Sequence, residues 1–355
     1  MKKLNFGAGP CILPQSVFEE SAKAVLDFNG DGLSILEISH RSKSFEAVID
    51  EARQLLLELM GLSDSEYVAL FLHGGASLQF AMVPYNFLRS KAAYVDTGVW
   101  SQKAISEAQT IAAVEVLASS KESGYRIIPP IPPISAEFDY LHLTTNNTIY
   151  GTQFHQFPEV APIPLIADMS SDIFSTPRDY SKFDLIYAGA QKNIGPAGTT
   201  IVVIKRSLLE STNSVNRFKI LDYAQHVKAD SMLNTPTVFS IYASLLNLRW
   251  LKSNTLEAIY AANDEKASLL YKTIDRFDWI KPFADPSSRS IMNVTFTIDN
   301  SDHAALFDHY CNKYDIHGLK GHRLVGGYRA SLYNALSIES VKRLTDTFEE
   351  VNKHV

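Results

Sequence analysis

Residues 43–60 place Phe45, Val48, Ile49, Ala52, Leu55, Leu56 and Leu59 at helical spacing with charged residues between them. This predicts an amphipathic helix that turns one face to a core. Downstream the pattern changes to short apolar runs closed by small or polar residues, at 67–73, 92–96, 111–118, 140–145, 164–168, 184–189 and 199–205. Runs that are apolar on both faces and rich in β-branched residues predict buried parallel strands. Helical stretches such as 77–88 and 100–109 separate several of them, which is the βαβ alternation of a doubly wound sheet. After Pro236 the pattern shifts again. It predicts long helices over 238–252 and 255–276, a strand over 292–298, a helix over 302–313 and a short strand around 329–333. A last helix follows, with Ile338, Val341, Leu344, Phe348 and Val351 on one face. The second part therefore reads as a smaller α+β unit, with a boundary near 255–265. The Pro-rich stretch 129–133 reads as a rigid surface connection.

Composition narrows the picture. A chain of 355 residues, at about 150 per domain, suggests two domains and a core that needs no metal or disulfide staple. With 46% hydrophobic residues and charges of both signs, disorder is excluded. A net charge of −6 argues against nucleic acid or a membrane surface as partner, so any anion site must be built from a few local cations. Cys11 and Cys311 form no disulfide framework, and nothing has zinc-ligand spacing. The N-terminal residues lack the apolar stretch of a secretory signal, and no apolar run approaches the roughly 18–20 residues of a membrane span. These features predict a cytoplasmic protein.

In open α/β sheets ligands bind beyond the carboxyl ends of the strands, so the residues that follow each strand carry the chemistry. His73-Gly74-Gly75-Ala76-Ser77 opens a helix, where backbone N–H groups can approach an anion. The loop matches neither the dinucleotide-binding nor the nucleotide-triphosphate glycine pattern. Asp168 closes the run 164–168; it can pair with a cation, cap a turn or, least readily, bind a metal. Lys192 lies three residues past the run 184–189 and 24 residues after Asp168, one strand–crossover–strand unit, so both fall on the same sheet edge. A solvated loop lysine is the plain alternative. A lysine that shares an edge with an acid, beside an anion cradle, also fits a Schiff base to pyridoxal phosphate, with the acid on the pyridinium nitrogen. Two further stretches concentrate cations: His40 and Arg41 in 38–45, and His322, Arg323 and Arg329 in 318–335. Arginine binds carboxylate and phosphate through paired hydrogen bonds, so a substrate with two anionic ends is implied.

These residues sit in motifs that resemble the phosphoserine aminotransferase family, pyridoxal-phosphate enzymes of fold-type I. The motifs are NFGAGP (5–10), SHRSKSF (39–45), HGGASLQF (73–80), VDTGVW (95–100), AGAQKNIGPAG (188–198), SMLNTP (231–236) and KGHRLVGGYRASLYNA (320–335). They follow the family's order and cover nearly the whole chain. The resemblance implies an α/β fold: a large cofactor-binding domain over 15–260 with a mainly parallel mixed sheet, and a small α+β domain from 1–14 and 261–355. It implies a homodimer with active sites at the interface. It implies amino transfer from glutamate to 3-phosphohydroxypyruvate in serine synthesis, and in many bacteria a related step of pyridoxine synthesis.

The resemblance also implies roles. Lys192 would hold the cofactor and shuttle the proton, Asp168 would pair with the pyridine nitrogen, and Trp100 would stack on the ring. Ala76, Ser77 and Gln191 would hold the phosphate, Thr148 would sit against the cofactor, and Asn234 and Thr235 would reach the phosphate of the neighbouring subunit. Arg329 would bind the α-carboxylate, while His40, Arg41, His322 and Arg323 would take the distal anion. Three departures stand out. Ser77 replaces an arginine of some members, Ala8 replaces a substrate-side serine and offers only its backbone, and Thr237 replaces a proline and should loosen its turn. Two rival readings are an alanine–glyoxylate or serine–pyruvate aminotransferase, which would not need this set of distal cations, and a phosphate-binding module without catalysis. A cysteine desulfurase is disfavoured because Cys311 falls in a predicted helix.

Overall fold

The computed structural model describes residues 3–210 and 218–354. Seven strands form the central sheet: β1 (Tyr67–Leu72), β2 (Lys91–Asp96), β3 (Ala113–Ser119), β4 (Leu141–Thr144), β5 (Leu165–Asp168), β6 (Leu185–Gly189) and β7 (Thr200–Lys205). Their spatial order is β1-β7-β6-β5-β4-β2-β3. The five strands from β6 to β3 pair in parallel. The run 199–205 departs from the expected parallel arrangement: β7 is antiparallel to both β1 and β6. The short return from β6, which includes Lys192, leaves no crossover helix to bring β7 round in parallel. The run 111–118 departs as well. It forms the sheet edge, pairs on one side only, and leaves Val116 and the neighbouring Ile111 exposed, where a buried strand was expected.

Helices cover both faces. On one lie α1 (Gln15–Leu26), α2 (Lys43–Met60) and α5 (Val238–Asn254); on the other lie α3 (Gly75–Phe87) and α4 (Val99–Gln109). The predicted helix 43–60 is α2 itself. Ser42 caps it by accepting the Phe45 N–H, and Gly61 ends it in the left-handed region with φ 66°. Its buried face carries Phe45, Ile49, Ala52 and Leu56 against Leu245 and Leu248 of α5. Across the sheet, Phe80, Val83 and Ala104 pack on Leu70, Tyr94 and Val202.

A second core lies beyond α6 (Leu256–Ile274). It gathers the strands β8 (Ile280–Pro282), β9 (Asn293–Ile298) and β10 (Tyr328–Ser331) with α7 (Ser301–Lys313) and α8 (Ile338–Asn352). Phe307 and Phe348 stack there with ring centroids 4.9 Å apart. Phe6 enters this second core, and Leu4–Asn5 pair in parallel with Ile316–His317. The stretch 129–133 has no helix or strand; Pro130, Pro132 and Pro133 are exposed, while Pro129 is buried. Among the described residues no helix is long and apolar enough to cross a membrane.

Candidate active site

The parallel pairing of β5 and β6 sets Asp168 opposite Tyr187 and brings the two strand ends to one edge. Ser170 fastens them: its N–H donates to Asp168 Oδ1 at 2.9 Å, and its Oγ accepts the Gly189 N–H at 3.0 Å. Lys192 then emerges three residues past β6, with its Nζ 5.7 Å from the centre of the Trp100 ring. Trp100 sits in the first turn of α4 and donates from Nε1 to Thr148 Oγ1 at 3.0 Å. The Thr148 carbonyl accepts from Arg329 Nη1 on β10 at 3.0 Å. Lys192, Asp168, Trp100, Thr148 and Arg329 therefore meet in one place.

Electrostatics at this edge run in opposed directions. Burial raises the Asp168 carboxyl above its ordinary range, against the pull of the Lys192 charge and the Ser170 hydrogen bond. Burial lowers Lys192, the Arg329 charge lowers it further, and Asp168 opposes both. Burial also lowers the Arg329 guanidinium. Its Nε is a buried donor with no partner among the described residues, an arrangement that an anion would satisfy.

The predicted phosphate cradle stands at the start of α3. Gly74 and Gly75 take φ 86° and 65°, so the chain turns tightly into the helix, with Ala76 half-buried and Ser77 exposed in its first turn. Gln191 lies beside the N-terminal segment: its carbonyl accepts the Cys11 N–H at 3.1 Å. The Ala8 carbonyl accepts from the Tyr333 hydroxyl at 2.9 Å, so this backbone oxygen already has a partner.

The remaining cations are placed differently. His322 is half-buried and holds its own turn, with its Nδ1 accepting the Leu324 N–H at 3.3 Å. Burial, and then the charges of Arg329, Arg323 and Lys103, lower its pKa, so His322, Arg323 and Arg329 share a local field. His40 and Thr235 line one groove, and His73 of the glycine loop shares a hydrogen bond with the Thr235 carbonyl at 2.9 Å. Arg41 is exposed, and its backbone N–H donates to Ser39 Oγ at 3.2 Å. Among the described residues, no hydrogen bond or ion pair joins His40, Arg41, Asn234 or Thr235 to Lys192 or Asp168. The Thr237 hydroxyl is hydrogen-bonded to that of Thr199.

Sequence reasoning passed over several neighbours of the site. Cys11 donates its thiol to the Lys192 carbonyl, and burial pushes that thiol up to about 12. Lys103 stands 4.8 Å from the Trp100 ring centre; its place one helical turn after Trp100 was the available signal. Ser170 and Tyr333 had no signal, since a serine after a strand and a core tyrosine look ordinary in sequence. Cys311 lies buried in α7 as expected, with its thiol pushed up to about 12.

The fold is that of a family. Residues 3–344 match aminotransferase class-V, and the chain belongs to that family. It is 56% identical over 358 residues to a phosphoserine aminotransferase of Flavobacterium psychrophilum, with all of both chains covered. A solved phosphoserine aminotransferase from Bacillus circulans subsp. alkalophilus superposes with TM-score 0.95 at 42% identity, covering 99% of each chain. A pyridoxal-phosphate-bound phosphoserine aminotransferase from Trichomonas vaginalis superposes with TM-score 0.88 at 34% identity, covering 98% of this chain and 100% of that one. The α/β architecture is accordingly fold-type I.

Proposed function

We infer that this protein is a pyridoxal-phosphate-dependent phosphoserine transaminase of L-serine biosynthesis. It exchanges the amino group of L-glutamate with 3-phosphohydroxypyruvate to give O-phospho-L-serine and 2-oxoglutarate. The observation that carries the reading is full-length identity of 56% to a phosphoserine aminotransferase, joined to a buried carboxylate at one strand end and a lysine three residues past the end of the adjacent strand. The donor set fits the cofactor: an amine whose charge burial disfavours, a buried acid, an indole 5.7 Å from that amine, and an uncapped helix start. Bound pyridoxal phosphate supplies an aldehyde for an amine and a ring that takes up electrons from the α-carbon.

The protein's part follows from its side chains. Lys192 would hold the cofactor and Asp168 would keep the ring nitrogen protonated. Trp100 would cover the ring; Thr148 would steady Trp100 and Arg329. Ala76, Ser77 and Gln191 would hold the phosphate. Lys192 Nζ would take the proton from the α-carbon, a task suited to an amine lowered by burial and by Arg329. Arg329, with its unpartnered Nε, would receive the α-carboxylate. His322 and Arg323 would take the distal anion.

We assign the protein to a cytoplasmic homodimer in which His40, Arg41, Asn234 and Thr235 complete the partner's site. Phe18, Leu26, Leu33 and Leu36 are exposed on the stretch that leads to Arg41, which supports a covered face there. The two cores support a division into a large domain over 15–260 and a small one from 1–14 and 261–355. The related step of pyridoxine synthesis is a further assignment of the same site.

Rates with O-phospho-L-serine and with L-alanine test the reading. The protein should prefer phosphoserine, and Arg41→Ala and Arg323→Ala should each lower kcat/KM for phosphoserine roughly ten- to hundred-fold while leaving alanine little changed. Equal rates for the two amino acids in the unaltered protein would contradict it.

A further inference from the structure

Lys266 is the one lysine on α6 that points inward. It is 1% exposed, and its Nζ donates to the carbonyls of Leu332 and Tyr333, each at 3.0 Å. Among the described residues it has no carboxylate partner. A buried ammonium without a counter-charge is costly, and cores commonly do better with an apolar residue there. Such a group persists where its bonds serve something else.

The two carbonyls belong to the segment that leaves β10, three and four residues after Arg329. Every residue of that segment is tied. The Leu332 N–H donates to Met292 O at 2.7 Å, and the Tyr333 hydroxyl donates to Ala8 O. Asn334 receives Asn263, one turn before Lys266 on α6, at 2.9 Å. The Asn334 N–H donates at 3.1 Å to the side chain of Asn193, the residue after Lys192. Asn263 also donates to Ser175 O at 3.0 Å, and Asn334 to Phe174 O at 3.1 Å. One face of α6 thus fastens the end of the Arg329 strand to the loops that carry Asp168 and Lys192. β10 pairs with β9 on one side; on the other, the Arg329 N–H donates to Leu319 O at 2.6 Å and the Ser331 N–H to Phe6 O at 3.1 Å, so Lys266 acts on the segment that continues from a strand held on both sides.

We propose that Lys266 is a positioning residue for substrate carboxylate binding: its bonds to Leu332 and Tyr333 hold the Arg329 strand at its distance from Lys192. This rests on the reading of Arg329 as the α-carboxylate site. The α-carboxylate is common to every amino-acid substrate, so the consequence differs from that of the distal cations. Loss of Lys266 weakens phosphoserine and glutamate alike.

The test uses the holoenzyme with Lys266→Met, Lys266→Gln and Arg329→Lys. Lys266→Met should raise KM for both phosphoserine and glutamate by about tenfold, with kcat within about twofold. Lys266→Gln keeps a shorter neutral donor and should raise both KM values by about threefold. If Lys266→Met does not fold, the glutamine variant alone decides. Unchanged KM in the lysine variants, with KM raised in Arg329→Lys, would overturn the proposal and leave the Arg329 assignment standing. Unchanged KM in all three would overturn both. A loss of kcat alone, or of phosphoserine binding alone, would also overturn the role of Lys266.

Discussion

His142 lies in β4 beside the strand that ends at Asp168, stacked on Tyr94 at 4.8 Å between ring centroids. Its Nε2 shares a 2.8 Å hydrogen bond with the Tyr187 hydroxyl, and Tyr187 is the cross-strand neighbour of Asp168. Burial lowers this histidine to about 3, so it adds no positive charge behind the carboxylate at neutral pH. The folded value lies below the unfolded value of about 6.5, so between these limits the unfolded chain binds more protons. Stability from this group is present above pH 6.5 and is lost as pH falls toward 3. The loss approaches about 1.4 kcal/mol per pH unit within that window. Urea unfolding at pH 7 and pH 5 should therefore show a smaller pH effect for His142→Gln than for the unaltered chain. An equal pH effect in both would show that His142 does not carry this dependence.

At the same scale, Lys192 and Asp168 were legible because chemistry restricts them. Few residue types form Schiff bases or hold a ring nitrogen protonated, and their spacing matched one crossover unit. The supporting residues were not legible. Ser170, Cys11 and Tyr333 act through backbone atoms, and any sequence offers many serines and tyrosines that could do so.

Among the elements, the helices and buried strands followed from periodicity, because burial on both faces leaves an unbroken apolar run. Direction did not follow. The apolar run of β7 reads the same in parallel or antiparallel pairing, since both faces are covered either way. Nor did edge position follow for β3, whose apolar run lies partly in solvent. α4 shows how an element places a functional side chain. Ser101 Oγ accepts the N–H groups of Thr97 and Gly98 at 2.9 and 3.0 Å, which fixes the turn that presents Trp100. Gly98 has φ +133°, and a Cβ there would stand 2.5 Å from Asn147 Nδ2 and 2.6 Å from the Tyr150 ring. Gly98→Ala must move the start of α4, with Trp100 two residues on. The expected outcome is a tenfold or greater loss of kcat/KM and about 1–3 kcal/mol of stability, from overpacking. Unaltered kinetics and an unaltered Tm would show that α4 tolerates the shift.

On the scale of the whole molecule, the site is a meeting of parts distant in sequence. Residues 8–11 lie along the Lys192 loop, β10 brings Arg329 from the second core, and α6 fastens the two. Motif order across the chain made this assembly legible through resemblance. Periodicity alone did not join the N-terminal segment to the second core, because a two-residue strand such as Leu4–Asn5 carries no pattern. In the proposed dimer Arg41, Asn234 and Thr235 complete the partner's site.

The proposed function turns on Lys192 as the residue that would hold the cofactor. Two lysines deserve comparison: Lys192, lowered by burial and Arg329, and Lys266, lowered by burial to about 7. Burial disfavours the charge on both, and only Lys192 lies on the strand edge with Asp168 and Trp100. Borohydride reduction of the yellow protein, followed by proteolysis and mass spectrometry of the pyridoxyl-labelled peptide, separates them. Label should appear on the peptide that contains Lys192, and none in Lys192→Ala. Label on Lys266 or any other lysine, or no label in the unaltered protein after reconstitution with pyridoxal phosphate, would contradict that role.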